Sequence, residues 1–400
     1  MTFTRRHALS TLGAAAGATI AAPGILRGRF DVFAQGPGPY SARALSLMGQ
    51  ATPVDLLNQF QFPDYAEKPT RIDRWLHQPG TFTKEHWAIW QKSGLTAGAL
   101  GHGAGSYEEA IRFYADWNGF IAAYPDWLTR IDDVSDFARA KATKRFGVLL
   151  SFQDSTHFRN PDDVNTFFGL GQRISQLTYN FNNRIGSGFL EQRDGGLSVF
   201  GLSIMERMQT VGMAVDVSHC GDQTTLDALD AAKKPVIFTH ATARALVPGH
   251  LRCKTDEAIR KMAKTGGVMG IAYIRFMDRN QEPVTIEHVL DHFDYVARLI
   301  GVEHVAVGSD LDAVGNPNAM GVPTSGPGSF NPRTQPNFSR YQYHEDTDGA
   351  INVKGLDHAA RMFDLTEGLI RRGYSDADIK GILGGNAIRV FGSIWPPPAA

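Results

Sequence analysis

Cysteine is nearly absent: 400 residues include two, Cys220 and Cys253. Two thiols cannot build a disulfide framework or a four-cysteine zinc site, so a metal in this chain must be held chiefly by His and carboxylates. Net charge is nearly absent too, with 40 Lys+Arg against 41 Asp+Glu, which argues against nucleic acid or another polyanion as partner. No window carries the ~20 consecutive apolar residues of a membrane span, and no internal repeat or low-complexity tract stands out. What is present is an ordinary globular composition, 42% hydrophobic and 20% charged, able to bury a large core. The length accommodates two or three domains, or one α/β barrel of roughly 200 to more than 400 residues.

At the N-terminus, Thr4-Arg5-Arg6-His7-Ala8-Leu9 sets two arginines ahead of a weakly apolar, Ala/Gly-rich stretch, with no acid before Asp31. This is the pattern of a twin-arginine export signal. A small-residue cleavage site at Val32-Phe33-Ala34 makes 1–34 the expected signal and 35–400 the expected mature domain, in a periplasmic or secreted protein. Neither cysteine lies where a lipoprotein anchor would need it.

Beyond Gln35, short apolar, β-branched runs alternate with longer amphipathic stretches, as in parallel strands joined by helices. Eight strands are expected: 52–58, 95–100, 146–152, 174–179, 213–217, 235–239, 267–273 and 304–309. Helical patterns run over 106–123, 164–171, 203–211, 223–232, 255–264, 286–300 and 355–372. Eight β/α units point to a (β/α)8 barrel, with a doubly wound open sheet as the rival because periodicity does not report strand order. The Pro/Gly/Asn/Ser-rich stretch 315–349 follows the eighth strand, where a barrel enzyme places a long loop over its catalytic face.

Polar residues fall at strand ends. The apolar run Met213–Val217 leads into Ser218-His219-Cys220, Val236–Thr239 leads into His240, and Val305–Ser309 leads into Asp310. In a parallel barrel all strand C-termini open on one face, so these three groups can meet despite their sequence separation. Two imidazoles and a carboxylate suit a borderline cation such as Zn²⁺, and fewer than four protein ligands leave a position for water, whose pKa the metal lowers toward ~7. Asp310 would then accept the proton and pass it to a leaving amine. His288 and His292 share one helix face and read as a solvated face. Gly101, Gly103 and Gly105 have the wrong spacing for a dinucleotide fingerprint and no P-loop Lys-Ser/Thr after them. Cys220, beside His219, is read as a buried small residue, with soft metal ligation or pairing with Cys253 as alternatives.

Several stretches together resemble the membrane dipeptidase family: Gln176–Asn180, Gly196–Gly201, Gly212–His219, Pro235–His240, His250–Asp256, Gly308–Asp312 and Gly385–Phe391. The resemblance implies a metal-dependent (β/α)8 barrel that hydrolyses dipeptides, usually through two zinc ions. It implies His219 and His240 as ligands of the second zinc, Asp310 as the proton-handling acid, and Arg252 as the group that takes the substrate carboxylate, a task its two-pronged guanidinium suits. Departures accompany it. The first-strand His-x-Asp of the family falls on Leu57 and Gln59, the bridging Glu on Gln153, and a substrate-contacting His on Tyr179, which can still donate to a developing oxyanion. A neutral amide cannot bridge two dications as a carboxylate does. One zinc ion is therefore expected in preference to two, held by His219 and His240 with help from Asp310 or water, with Asp55 and Asp154 as substitutes should the strand register differ. Gln153 and Tyr179 join Arg252 as expected substrate contacts. The expected partner is a small peptide-like substrate, with homodimerisation left open. The alternatives are a one-metal tailoring enzyme for an exported peptide-like metabolite and a non-catalytic descendant that binds peptide through Arg252 and Tyr179.

Overall fold

Among the described residues, ten strands form one parallel sheet: β1 (Val54–Gln59), β2 (Ala97–Leu100), β3 (Leu128–Arg130), β4 (Phe146–Phe152), β5 (Gln172–Gln176), β6 (Ala214–Asp216), β7 (Val236–Ala241), β8 (Met269–Ile271), β9 (Val305–Val307) and β10 (Leu311–Asp312). This computed structural model describes residues 39–60, 69–103, 105–278, 283–314 and 353–396. The export signal expected at 1–34 and the loop expected at 315–349 lie outside the described residues.

Eight of the strands run in the order β1-β2-β4-β5-β6-β7-β8-β9, and Asp55 paired with Val307 joins the last to the first. The sheet is a closed (β/α)8 barrel. Each expected strand overlaps one of these eight, and the open-sheet rival is excluded by the closure. The two additional strands are too short to give a sequence pattern. β3 pairs with the first half of β4, and β10 extends past β9 to pair with Asn58 and Gln59 of β1.

Strand β4 shows why these sequences make barrel strands. All seven of its residues are buried, as expected where helices cover one face and the barrel interior the other. Phe146 and Phe152 face the helical layer, with ring centroids 5.0 Å from Trp90 and 4.7 Å from Phe113. Leu149, on the opposite face of the pleat, joins Leu56, Ala99, Ile174, Ile237 and Ala306 in a separate cluster. The C-terminal helix Asn386–Ile394 completes that cluster through Val390, Phe391 and Ile394, followed by Trp395.

Two glycines hold the site's strands at close range. Without side chains at Gly270 and Gly308, the carbonyl of Thr239 fits where added Cβ atoms would stand 2.1 and 1.8 Å from it. The helix Ile286–Ile300 departs from expectation. His288 caps its first turn, its Nδ1 accepting from the Thr285 amide at 3.0 Å, but His292 is fully buried rather than solvated. Its ring lies on the face carrying Val289, Phe293 and Val296. There it satisfies two backbone groups, accepting from Ala243 N at 3.2 Å and donating to Asp278 O at 3.1 Å. A polar ring is stable in a core when both nitrogens are paired.

Candidate active site

The segment after β6 and the end of β7 bring His219 and His240 face to face. Their Nε2 atoms are 2.9 Å apart. Each ring is anchored from behind: Nδ1 of His219 is 2.8 Å from Oδ1 of Asn180, and Nδ1 of His240 is 2.8 Å from Oγ1 of Thr239. Thr239 Oγ1 in turn donates to Asp216 Oδ2 at 2.5 Å. The network assigns the tautomers. Both Nδ1 atoms carry the proton, because their partners are an amide oxygen and a hydroxyl whose own hydrogen is committed to a carboxylate. Both Nε2 lone pairs therefore point into the space between the rings. Burial holds both imidazoles well below their ordinary pKa, and the cations Arg252 and Lys254 act in the same direction. Low pKa values favour neutral rings, and in these tautomers the two Nε2 lone pairs face one another across the 2.9 Å contact.

Asp310 follows β9 in a left-handed backbone conformation, φ 58°, one that Asp tolerates better than most residues. Its amide donates to Leu57 O at 2.9 Å, and Oδ1 accepts from Gln59 Nε2 at 3.3 Å. Burial raises its pKa to about 6, while the Arg252 cation and the Gln59 hydrogen bond pull the other way. Among the described residues it forms no hydrogen bond to either imidazole.

Arg252 is buried rather than a surface residue. Nη1 donates to Ser218 O at 2.6 Å and Nη2 to His240 O at 2.8 Å, so the guanidinium ties together the two segments that carry the imidazoles. Tyr179 is 42% exposed and stacks on His219 with centroids 4.3 Å apart. It is therefore a lid on the ring rather than a core aromatic. Gln153 is buried just past β4, its backbone N–H donating to His102 O at 2.6 Å and its backbone carbonyl accepting from Gln176 Nε2 at 2.5 Å.

The two acids considered as substitute ligands are committed elsewhere. Asp154 accepts from the Tyr179 amide at 3.1 Å and from Asn183, fixing the loop that carries Tyr179 and Asn180. Asp55 is fully buried and accepts from Ser309 N at 2.7 Å, Ser309 Oγ at 2.5 Å and Asn58 Nδ2 at 3.0 Å. Both cysteines are free and buried, with burial pushing the thiols up to about 11 for Cys220 and about 12 for Cys253. Among the described residues no group of three or more His, Cys, Asp or Glu is placed to hold a metal ion. Gln59 also lines a cavity of ≈350 Å³, whose walls include Phe60, His102, Arg112, Phe113 and Asp116.

Asn180, Thr239 and Asp216 were not among the expected site residues. A signal for Asp216 was available: it is an acid inside the apolar run 213–217 of a strand buried on both faces. Thr239 and Asn180 carry no comparable mark.

Fold and site together define a (β/α)8-barrel protein with a polar centre at the C-terminal ends of its strands, the location used by enzymes of this architecture. Residues 50–322 and 345–395 match the profile of the membrane dipeptidases, peptidase family M19, and the chain belongs to that family. Dipeptidase verJ of Clonostachys rogersoniana is 31% identical over 277 residues, 68% of this chain and 62% of that protein. Dipeptidase tcpJ of Claviceps purpurea is 27% identical over 272 residues, 67% and 56% respectively. The chain thus spans about three fifths of the length of these relatives. An amidohydrolase from Pseudomonas aeruginosa shares the fold at TM-score 0.71 and 24% identity, over 88% of this chain and 99% of that one. So does a metallopeptidase from Rhodobacter sphaeroides liganded with a phosphinate mimic of the dipeptide L-Ala-D-Ala, at TM-score 0.66 and 15% identity, over 86% and 99%. Among the described residues no helix is long and apolar enough to cross a membrane.

Proposed function

We propose that the chain is an exported metal-dependent hydrolase of a dipeptide or similar small amide, with one divalent cation, zinc in the first instance, held by His219 and His240. The observation that carries this is the pair of imidazoles whose Nε2 atoms face each other at 2.9 Å, with both Nδ1 atoms engaged from behind by Asn180 and Thr239. Both rings would hold the ion through nitrogen, a donor type that zinc favours. A second ion finds no such donors: Leu57 is apolar, and Gln59 and Gln153 offer only neutral amides. Export rests on the Arg5-Arg6 motif, and dipeptide chemistry on the family and its named dipeptidases.

When bound, the cation would supply Lewis-acid polarisation and activation of water. The chain's own groups do the rest. Asp310, with a pKa of about 6, is ionised at neutral pH yet basic enough to take a proton from the attacking water and return it to the leaving amine. Arg252, whose two terminal nitrogens each keep a second N–H beyond those engaged with Ser218 O and His240 O, presents a cationic donor pair to a substrate carboxylate. Tyr179, stacked over His219, is the aromatic placed to donate to the carbonyl oxygen as negative charge develops there. The amides of Gln59 and Gln153, standing where family members carry charged ligands, favour a variant of this reading: a one-metal enzyme specialised for a peptide-like metabolite, inert toward plain dipeptides. Zinc- or manganese-loaded protein assayed against a dipeptide library tests the proposal. Turnover lost in Asp310→Asn is expected. Protein that takes up no metal and hydrolyses no amide contradicts it.

A further inference from the structure

Asp216 is a buried carboxylate at the end of β6 with every hydrogen bond directed into it. Oδ1 accepts from Ser218 N at 2.9 Å, Ser218 Oγ at 2.6 Å and Thr239 N at 3.0 Å, and Oδ2 accepts from Thr239 Oγ1 at 2.5 Å. Burial pushes the Asp216 carboxyl up from the ordinary carboxylate range, and four donors with no acceptor around it pull the other way, toward the ionised form. An ionised Asp216 can only accept, which forces the Thr239 hydroxyl hydrogen toward it. Thr239 Oγ1 then has only lone pairs for its other neighbour, Nδ1 of His240, 2.8 Å away. Ser218 completes the arrangement: its hydroxyl donates to Asp216 and accepts from the His240 amide at 3.1 Å.

We propose that Asp216 and Thr239 are positioning residues, a carboxylate–hydroxyl relay that locks His240 in the tautomer whose Nε2 is free to bind a cation. The inference rests on the reading that His219 and His240 hold that cation. Carboxylate partners of metal-binding histidines fix the tautomer and raise ligand basicity; here the carboxylate acts through an intervening hydroxyl. The two rings are held differently. His219 is fixed by a neutral amide on the loop that carries Tyr179, whereas His240 is fixed from inside the barrel by a hydroxyl bound to the Asp216 carboxyl group. Polarisation by that carboxyl group therefore reaches one ligand only, making His240 the stronger donor of the pair.

The test is zinc titration by calorimetry on chelator-stripped full-length protein, with Co²⁺ absorption as a second readout, for wild type, Thr239→Val and Thr239→Ser. Valine keeps the shape and removes the hydroxyl, so zinc affinity is expected to fall ~10- to 100-fold, the usual effect of losing such a partner. The Co²⁺ ligand-field bands should weaken or shift with it. Serine restores the hydroxyl and should return affinity to within a few-fold of wild type. Equal zinc affinity in wild type and Thr239→Val, or a Thr239→Ser no better than valine, overturns the relay. Because Thr239→Val can fail to fold, the tautomer of His240 is also read by nitrogen NMR in metal-free wild type. A proton on Nδ1 is expected, and a proton on Nε2 overturns the proposal. Wild type that binds no zinc while His240 keeps its Nδ1 proton contradicts the hydrolase reading and leaves the relay standing.

Discussion

The side-chain amide of Gln59 donates to Oδ1 of Asp310 at 3.3 Å, joining the first strand of the barrel to the turn after the last. Where family members are expected to carry a charged ligand on the first strand, this chain carries a neutral donor that steadies the acid of the eighth.

That contact sets a pH dependence. Burial raises Asp310 to about 6, opposed by Arg252 and Gln59. A reaction that needs the ionised acid falls away below about pH 6, which the acid limb of kcat/KM measures. Gln59→Leu removes a donor that favours the charged form, so the limb should move to higher pH. A limb that stays in place shows that another group controls it.

Arg252, the proposed donor to a substrate carboxylate, also holds the site together. Arg252→Ala leaves Ser218 O and His240 O, both buried, without a donor. Such losses cost ~1–3 kcal/mol for each unsatisfied group, so urea unfolding should show destabilisation of about 2–6 kcal/mol. Lysine should recover only part of it, because a single ammonium does not reproduce the planar fork. A neutral effect would place Arg252 outside the framework.

Gly308→Ala drives a methyl group into the Thr239 carbonyl, 1.8 Å from the Cβ position. The neighbour is backbone and cannot swing aside. Overpacking of this kind costs about 1–3 kcal/mol or more, and thermal melts should show the loss together with weaker zinc binding, since Thr239 supports His240.

The thiols should be silent. Cys220 accepts from Thr178 Oγ1 at 3.3 Å and Cys253 from Thr242 Oγ1 at 3.1 Å, both inside the core. Native protein should resist a disulfide-exchange reagent at pH 8 and react with two equivalents after denaturation. Rapid labelling of the native chain, or an absence of free thiol, contradicts this.

Much of this arrangement was legible in the sequence because parallel barrel strands are buried on both faces. Runs such as Phe146–Leu150 and Val236–Phe238 stand out as apolar stretches, and their shared direction makes residues at their ends neighbours, which is how His219 and His240 could be paired from sequence. The same logic had nothing to grip on three-residue β3. It also missed the amphipathic helices Ala42–Gln50 and Lys84–Lys92, whose apolar positions are too few for a firm period. His292 was misread because the spacing of two histidines says nothing about the backbone amide and carbonyl waiting beneath one of them. The Asp216–Thr239 relay escaped because it depends on which way each hydroxyl hydrogen points, a property of three-dimensional neighbours.

The central claim is that His219 and His240 share one cation. Elemental analysis of the full-length chain after zinc loading and removal of excess metal tests it most directly, alongside His219→Ala and His240→Ala. About one ion per chain in wild type and almost none in either variant is the predicted result. A wild type without metal, or variants that keep theirs, would contradict it.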